Sequence, residues 1–253
     1  MFTFAGKLHI NNFSCIMANV IKIKKGLDIN LKGKASDVLL NGGKSESYAI
    51  VPDYYNGIVP KVVAKVGEKV KAGSVLMIDK NRPEIKFVSP VSGEVTAVNR
   101  GEKRKVLSIV GKPDAQIEYE EFGKKNVASL QGAEVKEVLL NAGMWPFIKQ
   151  RPYDIVAAPL DTPRDIFVSA FYSAPLAPNF DFIVKGQEAD FQTGLNALAK
   201  LTNGKVYVGV RSGSVVSGVK GVEIVEVEGP HPAANVGVQI NHIKPVNKGE
   251  VVW

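Results

Sequence analysis

The sequence predicts a two-part chain, a β-rich sandwich over residues 17–112 and a strand–helix–strand α/β domain over 132–253, joined by a polar linker over 113–131. Three observations predict it. A short charged word recurs within the front half, each time between β-rich runs. The apolar period changes from about two to about 3.6 beyond residue 131. The charge also reverses: residues 1–112 carry 19 Lys and Arg against 9 Asp and Glu, whereas residues 113–253 carry 13 against 16.

At 253 residues the chain can bury one large core or two ordinary ones. Apolar content of 45% with mean hydropathy near zero fits a globular protein, and no run of 18 apolar residues offers a membrane span. No apolar stretch with a small-residue cleavage site follows Met1, so a cytoplasmic protein is expected. Met17-Ala18-Asn19 leads straight into Val20-Ile21-Lys22-Ile23 and reads as an alternative start. It leaves residues 1–16, with Cys15, as a non-native extension if Met17 is the start. The net charge of +7 is read in two ways, as a solvated lysine surface or as a front half that meets an acidic partner or an anionic membrane face. Lys69, Lys71, Lys103 and Lys105 are the candidate docking cations. Nucleic acid is disfavoured, because no aromatic residues interleave with the lysines to stack on bases.

In the front half, Gly67-Glu68-Lys69-Val70-Lys71 is echoed by Gly101-Glu102-Lys103-Arg104-Lys105. Each copy follows a Gly-led strand run (57–63 and 93–98) and precedes another (75–78 and 106–109), with the glycines expected to make the turns. Two such units suggest a sandwich with pseudo-twofold symmetry. The words Val66 to Leu76, Asp79-Lys80 and Ser89 to Val95 resemble the barrel-sandwich hybrid of biotinyl and lipoyl carrier domains. In those carriers a lysine at a hairpin tip takes the cofactor, which makes Lys80 the candidate. The tip continues Asn81-Arg82-Pro83-Glu84, longer than a carrier hairpin, and the Met-Lys-Met signature of biotin acceptors is absent. An ordinary exposed turn lysine is the favoured reading.

Beyond the linker, Val135, Val138, Leu139 and Ala142 fall at helical spacing over 133–145, with Gly143 as the stop. Residues 166–171 and 180–184 read as buried strands. A helix is expected from 187 to 202, with Phe191, Leu195, Leu198 and Leu201 on one face and Asn203-Gly204 ending it. Strands follow at 205–210 and 221–227, so residues 181–210 predict a parallel βαβ unit and a Rossmann-like outline. The chain ends on the apolar run Val251-Val252-Trp253, which reads as an interrupted strand and hence as a fragment.

Chemistry is sparse. There is no Gly-x-Gly-x-x-Gly and no phosphate loop, and Glu188 and Asp190 open the helix after the clearest junction, where they would repel a diphosphate. Arg211-Ser212-Gly213-Ser214 suits either an anion cradle or a plain turn. His9, His231 and His242 have no metal-ligand spacing. Gly229-Pro230-His231-Pro232-Ala233 reads as a fixed turn or a partner surface, and Trp145-Pro146-Phe147 as core and turn.

Several words occur in a fixed order: Ile21 to Asp28, the carrier-like segment, Gly143-Met144-Trp145, Arg151-Pro152-Tyr153, Thr162 to Val168, Gly186-Gln187-Glu188, Leu201 to Val208 and Gly229 to Ala233. Together they resemble the A subunits of the sodium-translocating NADH:quinone reductases across residues 17–253. The resemblance implies a peripheral subunit on the cytoplasmic side of the inner membrane, set against membrane subunits of a complex that exports sodium. NADH, flavins, iron–sulfur centres and quinone would belong to the complex, none of them held by this chain. Members of the family continue past a Val-Trp such as Val252-Trp253. The Gly-Arg-Gly-Gly loop of related flavin-binding subunits is replaced by Ala142-Gly143-Met144-Trp145-Pro146-Phe147, so no catalytic, cofactor or metal residue is carried over. Two other classes stay open: a carrier domain fused to an α/β domain, and an autonomous nucleotide-binding enzyme.

Overall fold

The computed structural model describes residues 19–33 and 36–253. His9, Cys15, the Met17 start and the 1–16 extension lie outside them. No helix among the described residues is long and apolar enough to cross a membrane.

The first strand, β1 (Asn19–Lys22), does not join the front sandwich. It forms the edge of the α/β domain's sheet, parallel to a strand some 200 residues later, with Ile21 opposite Val227. Within the span expected for the sandwich, 17–112, these first residues thus pair with the other sheet. Ile21 and Ile23 pack with Phe171, Val225 and Val227, and this long-range burial decides where the strand goes.

The sandwich is built from β2 (Tyr48–Ile50), β3 (Pro60–Val62), β4 (Lys69–Val70), β5 (Val75–Asp79), β6 (Lys86–Val88), β7 (Gly93–Arg100) and β8 (Val106–Pro113). Two antiparallel sheets face each other, ordered β2-β8-β7-β4 and β3-β5-β6. Leu76, Met77, Phe87, Val95 and Ile109 fill the space between them. The echoed words link antiparallel pairs in opposite sheets, β3 with β5 and β7 with β8, but their turns differ. Gly67 adopts φ +85°, as expected; in the second copy Lys103 and Arg104, not Gly101, take the left-handed conformation. The copies also sit at opposite ends of β7, since Lys69 pairs with Glu94 and the second copy follows Arg100. About 20 Å of strand separates them. The four lysines therefore form no single patch, and two are engaged locally: Lys69 with Glu94 and Asp114, Lys105 with Asp53.

The linker is not free of the sandwich. Ala72 exchanges backbone hydrogen bonds with Glu118 and Glu120, so residues 118–120 lie alongside the strand turn. Helix α1 (Gly132–Asn141) then ends as expected: Gly143 adopts φ +68°, the Gly143 N–H donates to Leu140 O and the Met144 N–H to Leu139 O. This is the Schellman arrangement that satisfies terminal carbonyls. Gly143 also lies so close to Val88 that a Cβ would come within 2.4 Å of it. Trp145 is fully buried and donates to Ala157 O, while Phe147 is exposed. A short hairpin, β9 (Lys149–Gln150) and β10 (Ile155–Val156), completes the junction, and one continuous core runs from the sandwich into the α/β domain.

The α/β sheet is fully parallel, ordered β1-β13-β12-β11, with β11 (Ile166–Ser169), β12 (Val206–Val210) and β13 (Glu223–Glu228). Val206, Val208 and Val210 are buried on one face, and on the other Gly209 is buried and Tyr207 half-buried, as in a central strand covered on both faces. Residues 180–184 form a helix, α2 (Phe180–Val184), and not the expected strand. Asn179 caps it by accepting the Asp181 N–H, and Phe180 packs on Phe191. The parallel unit is thus β11–α3–β12, with α3 at Glu188–Ala199. A last helix, α4 (Val236–Ile243), lies on the other face: Ile240 packs with Phe167, while neighbouring Ile166 packs with Leu195 of α3. Residues 251–253 run beside β11, with the Phe167 N–H donating to Trp253 O and the Trp253 N–H to Asp165 O.

Candidate functional site

Ligands of open parallel sheets bind beyond the carboxyl ends of the strands. Here four loops meet at that end, after β1, β11, β12 and β13, and the chain's own groups lace them together. Arg211 follows β12, stands 4.6 Å over the Phe171 ring and donates to Val227 O and Gly229 O. Ser173 Oγ accepts the Ala234 N–H at 3.0 Å and lies 3.2 Å from His231 Nδ1. The His231 N–H donates to Asp28, and the Leu27 N–H donates to His231 O, which holds the Gly229–Ala233 word against the exit of β1. This is the fixed-turn reading of that word.

Arg211-Ser212-Gly213-Ser214 forms a turn, with the Ser214 N–H donating to Arg211 O, and its end holds an internal carboxylate. Asp181 accepts the Ser214 hydroxyl at 2.6 Å and the Val215 N–H at 3.2 Å. Ser214 is buried and Gly213 adopts φ +77°, so the loop closes around the carboxylate. At the start of α3, Glu188 accepts the Gly186 N–H at 3.0 Å. The N–H groups of Gly186 and of Glu188 itself hold that carboxyl below its usual range. The Ser214 hydroxyl with the Val215 N–H, and the Gly186 N–H, are thus each already taken by an internal carboxylate. The role of Asp181 was not legible in the sequence, because 33 residues separate it from Ser214; the Asn179 cap was the available signal.

Lys80 is exposed at the tip between β5 and β6, but the tip is anchored. Asp79 is fully buried and accepts three hydrogen bonds, from the Val59 N–H (3.0 Å), the Asn81 N–H (3.1 Å) and Arg82 Nε (2.7 Å). Arg82 also donates to Gly57 O and, across the junction, to Val156 O at 3.1 Å. The hairpin that a carrier would swing is tied to the α/β domain. His242 Nδ1 donates within α4, to Val238 O, and no cluster of three or more metal-ligating side chains occurs among the described residues.

At the opposite, amino-terminal end of the sheet lies a charged knot. Asp165 is buried and accepts Lys244 Nζ at 2.6 Å, Arg164 Nε at 2.7 Å and the Lys205 N–H at 3.0 Å. Burial pushes its pKa up, yet Lys244, the Lys205 N–H and Arg164 outweigh burial and hold the carboxyl below its ordinary value. Arg164 reaches on to Glu250 and to Lys244 O, strapping residues 244–250 down. The knot is structural in its geometry, because every charge in it faces another.

Comparison with known proteins places both halves together. Residues 21–114 match the NqrA N-terminal barrel-sandwich hybrid domain, and residues 130–253 match the NqrA second alpha/beta domain. The A subunit of the Na(+)-translocating NADH-quinone reductase of Photorhabdus laumondii is 37% identical over 238 residues, 92% of this chain and 53% of that protein. Its counterpart from Hahella chejuensis is 38% identical over 239 residues with the same coverage, and that of Yersinia pestis 34% over 238. The chain spans about half the length of these curated relatives. It belongs to the NqrA family over both matched domains.

Proposed function

We propose that this chain serves as an accessory component of a sodium-translocating NADH:quinone reductase, peripheral on the cytoplasmic side of the membrane and docked on the membrane subunits. It holds no flavin, NADH, iron–sulfur centre or quinone of its own. The observation that carries this reading is the match of both domains, in order, to the NqrA components of such reductases. The sheet edge supports the second half of it: the donors that would hold a nucleotide phosphate are spent on Asp181 and Glu188. The tethered hairpin speaks against a swinging carrier arm at Lys80.

Affinity purification of the tagged chain from its own host tests the assignment. Membrane subunits and sodium-dependent NADH:quinone activity should co-purify with it. Recovery of the chain alone from membranes that retain full activity would contradict the proposal.

A further inference from the structure

A trough follows the linker, lined by its residues 120–122 and 125. Two adjoining hollows of about 390 and 260 Å³ make it, and both are lined by Phe122 and Asn141. The first runs over the turn between β4 and β5, the second over the outer face of α1. At their meeting point the Phe122 ring lies directly on Gly73, where a Cβ would come within 3.0 Å of it. Gly73 adopts φ +103°, so both its conformation and its lack of a side chain seat the ring. Phe122 nevertheless remains 44% exposed, an aromatic face fixed in place and turned outward.

The groups around this ring are mostly acidic. Glu68, Glu120, Glu121, Glu134 and Glu137 line the two hollows, against Lys69, Lys86 and Lys125. Lys69 is engaged by Glu94 and Asp114, and Lys86 donates to Asn141. Three of the carboxylates accept one internal hydrogen bond each, from the Lys65 N–H, the Ser74 hydroxyl and the Gln131 N–H. An acidic trough therefore borders the half of the chain where Lys and Arg outnumber Asp and Glu by 19 to 9.

An outward aromatic face ringed by carboxylates recognises cations, through the ring quadrupole and charge-assisted hydrogen bonds. We infer that the trough is a docking groove for a basic segment of a partner protein, which seats a lysine or arginine side chain over Phe122. The segment's cation is paired by Glu121 and Glu137, and an apolar neighbour lies on Leu130 and Val138. A chain of net charge +7 repels cations in general, so attraction here must be local. The groove stands independently of the reductase assignment.

The test uses the whole chain and a short fluorescein-labelled peptide in which one leucine separates two arginines. Saturable binding is expected, with amide shifts confined to residues 120–125, 134–141 and the 68–75 turn. The double variant E121K/E137K and the single variant F122A should each weaken binding at least tenfold. E84K, a reversal on the exposed hairpin tip, should leave it unchanged. Circular dichroism checks that F122A folds, and the double variant alters surface charge only. Absence of saturable binding, shifts centred elsewhere, or equal loss in E84K would overturn the inference.

Discussion

The hairpin tip of the sandwich and the carboxyl edge of the parallel sheet are the two places where similar folds present a ligand, and this chain closes them differently. At the tip the reactive group is kept and the motion removed: Lys80 is exposed, while Asp79 and Arg82 tie its hairpin to Gly57 and Val156. At the sheet edge the backbone donors are kept and their ligand replaced: Asp181 occupies the 211–215 loop and Arg211 turns its donors inward. A tether acts through rigidity and a plug through occupancy. The two should therefore fail differently when broken.

The largest effect is expected at the tether. Asp79→Ala leaves two backbone N–H groups and a largely buried guanidinium without their acceptor, and should cost about 3–5 kcal/mol in chemical denaturation. The loss should come with faster proteolysis between the domains, near residues 113–131. A variant as stable as the parent would mean that the junction rests on its apolar core alone.

Acid sharpens the contrast through a third carboxylate. The folded-state pKa of Asp165 is depressed, so its stabilisation is complete above the unfolded value of about 4. It is lost as pH falls through the lower folded value. Denaturation midpoints should therefore drop on acidification below about pH 4, and Asp165→Asn should flatten this part of the profile while lowering stability at pH 7.

The plug should give a smaller change. Asp181→Ala should cost about 1 kcal/mol, because one partly exposed carboxylate is lost with two hydrogen bonds. It should also uncover a function of the loop. Sulfate or phosphate should stabilise the variant and not the parent, as expected for an anion entering at the vacated Ser214 hydroxyl and Val215 N–H. Equal responses of both proteins would show that the loop is an ordinary turn. The smallest expected effect is none at all: Lys80 in protein from its own host should carry no biotinyl or lipoyl increment by intact mass.

Elements with local punctuation were legible in the sequence. Gly143 marked a helix end, and the Gly-Glu-Lys echo marked one strand pair in each of the two facing sheets; Asn203-Gly204 did not, since α3 stops at Ala199 and not at the expected 202. What stayed hidden depended on distance along the chain. Residues 19–22 carry a strand pattern, but their partner Glu223–Glu228 is far away, and the nearer sandwich was the natural guess. Residues 180–184 failed for a local reason. A short apolar run does not distinguish strand from helix, and the Asn179 cap with Phe180 on Phe191 decided for helix. Of the candidate sites, the acidic start of α3 was visible in Glu188 and Asp190, whereas the occupant of the 211–215 loop was not.

Calorimetry of the purified chain with flavin mononucleotide and with NADH tests the central claim most directly. If the sheet edge is plugged and the chain plays an accessory part, the protein should be colourless and neither titration should release heat. Flavin retained in stoichiometric amount, or NADH binding in the low-micromolar range, about −8 kcal/mol, would contradict the account and favour an autonomous nucleotide-binding enzyme.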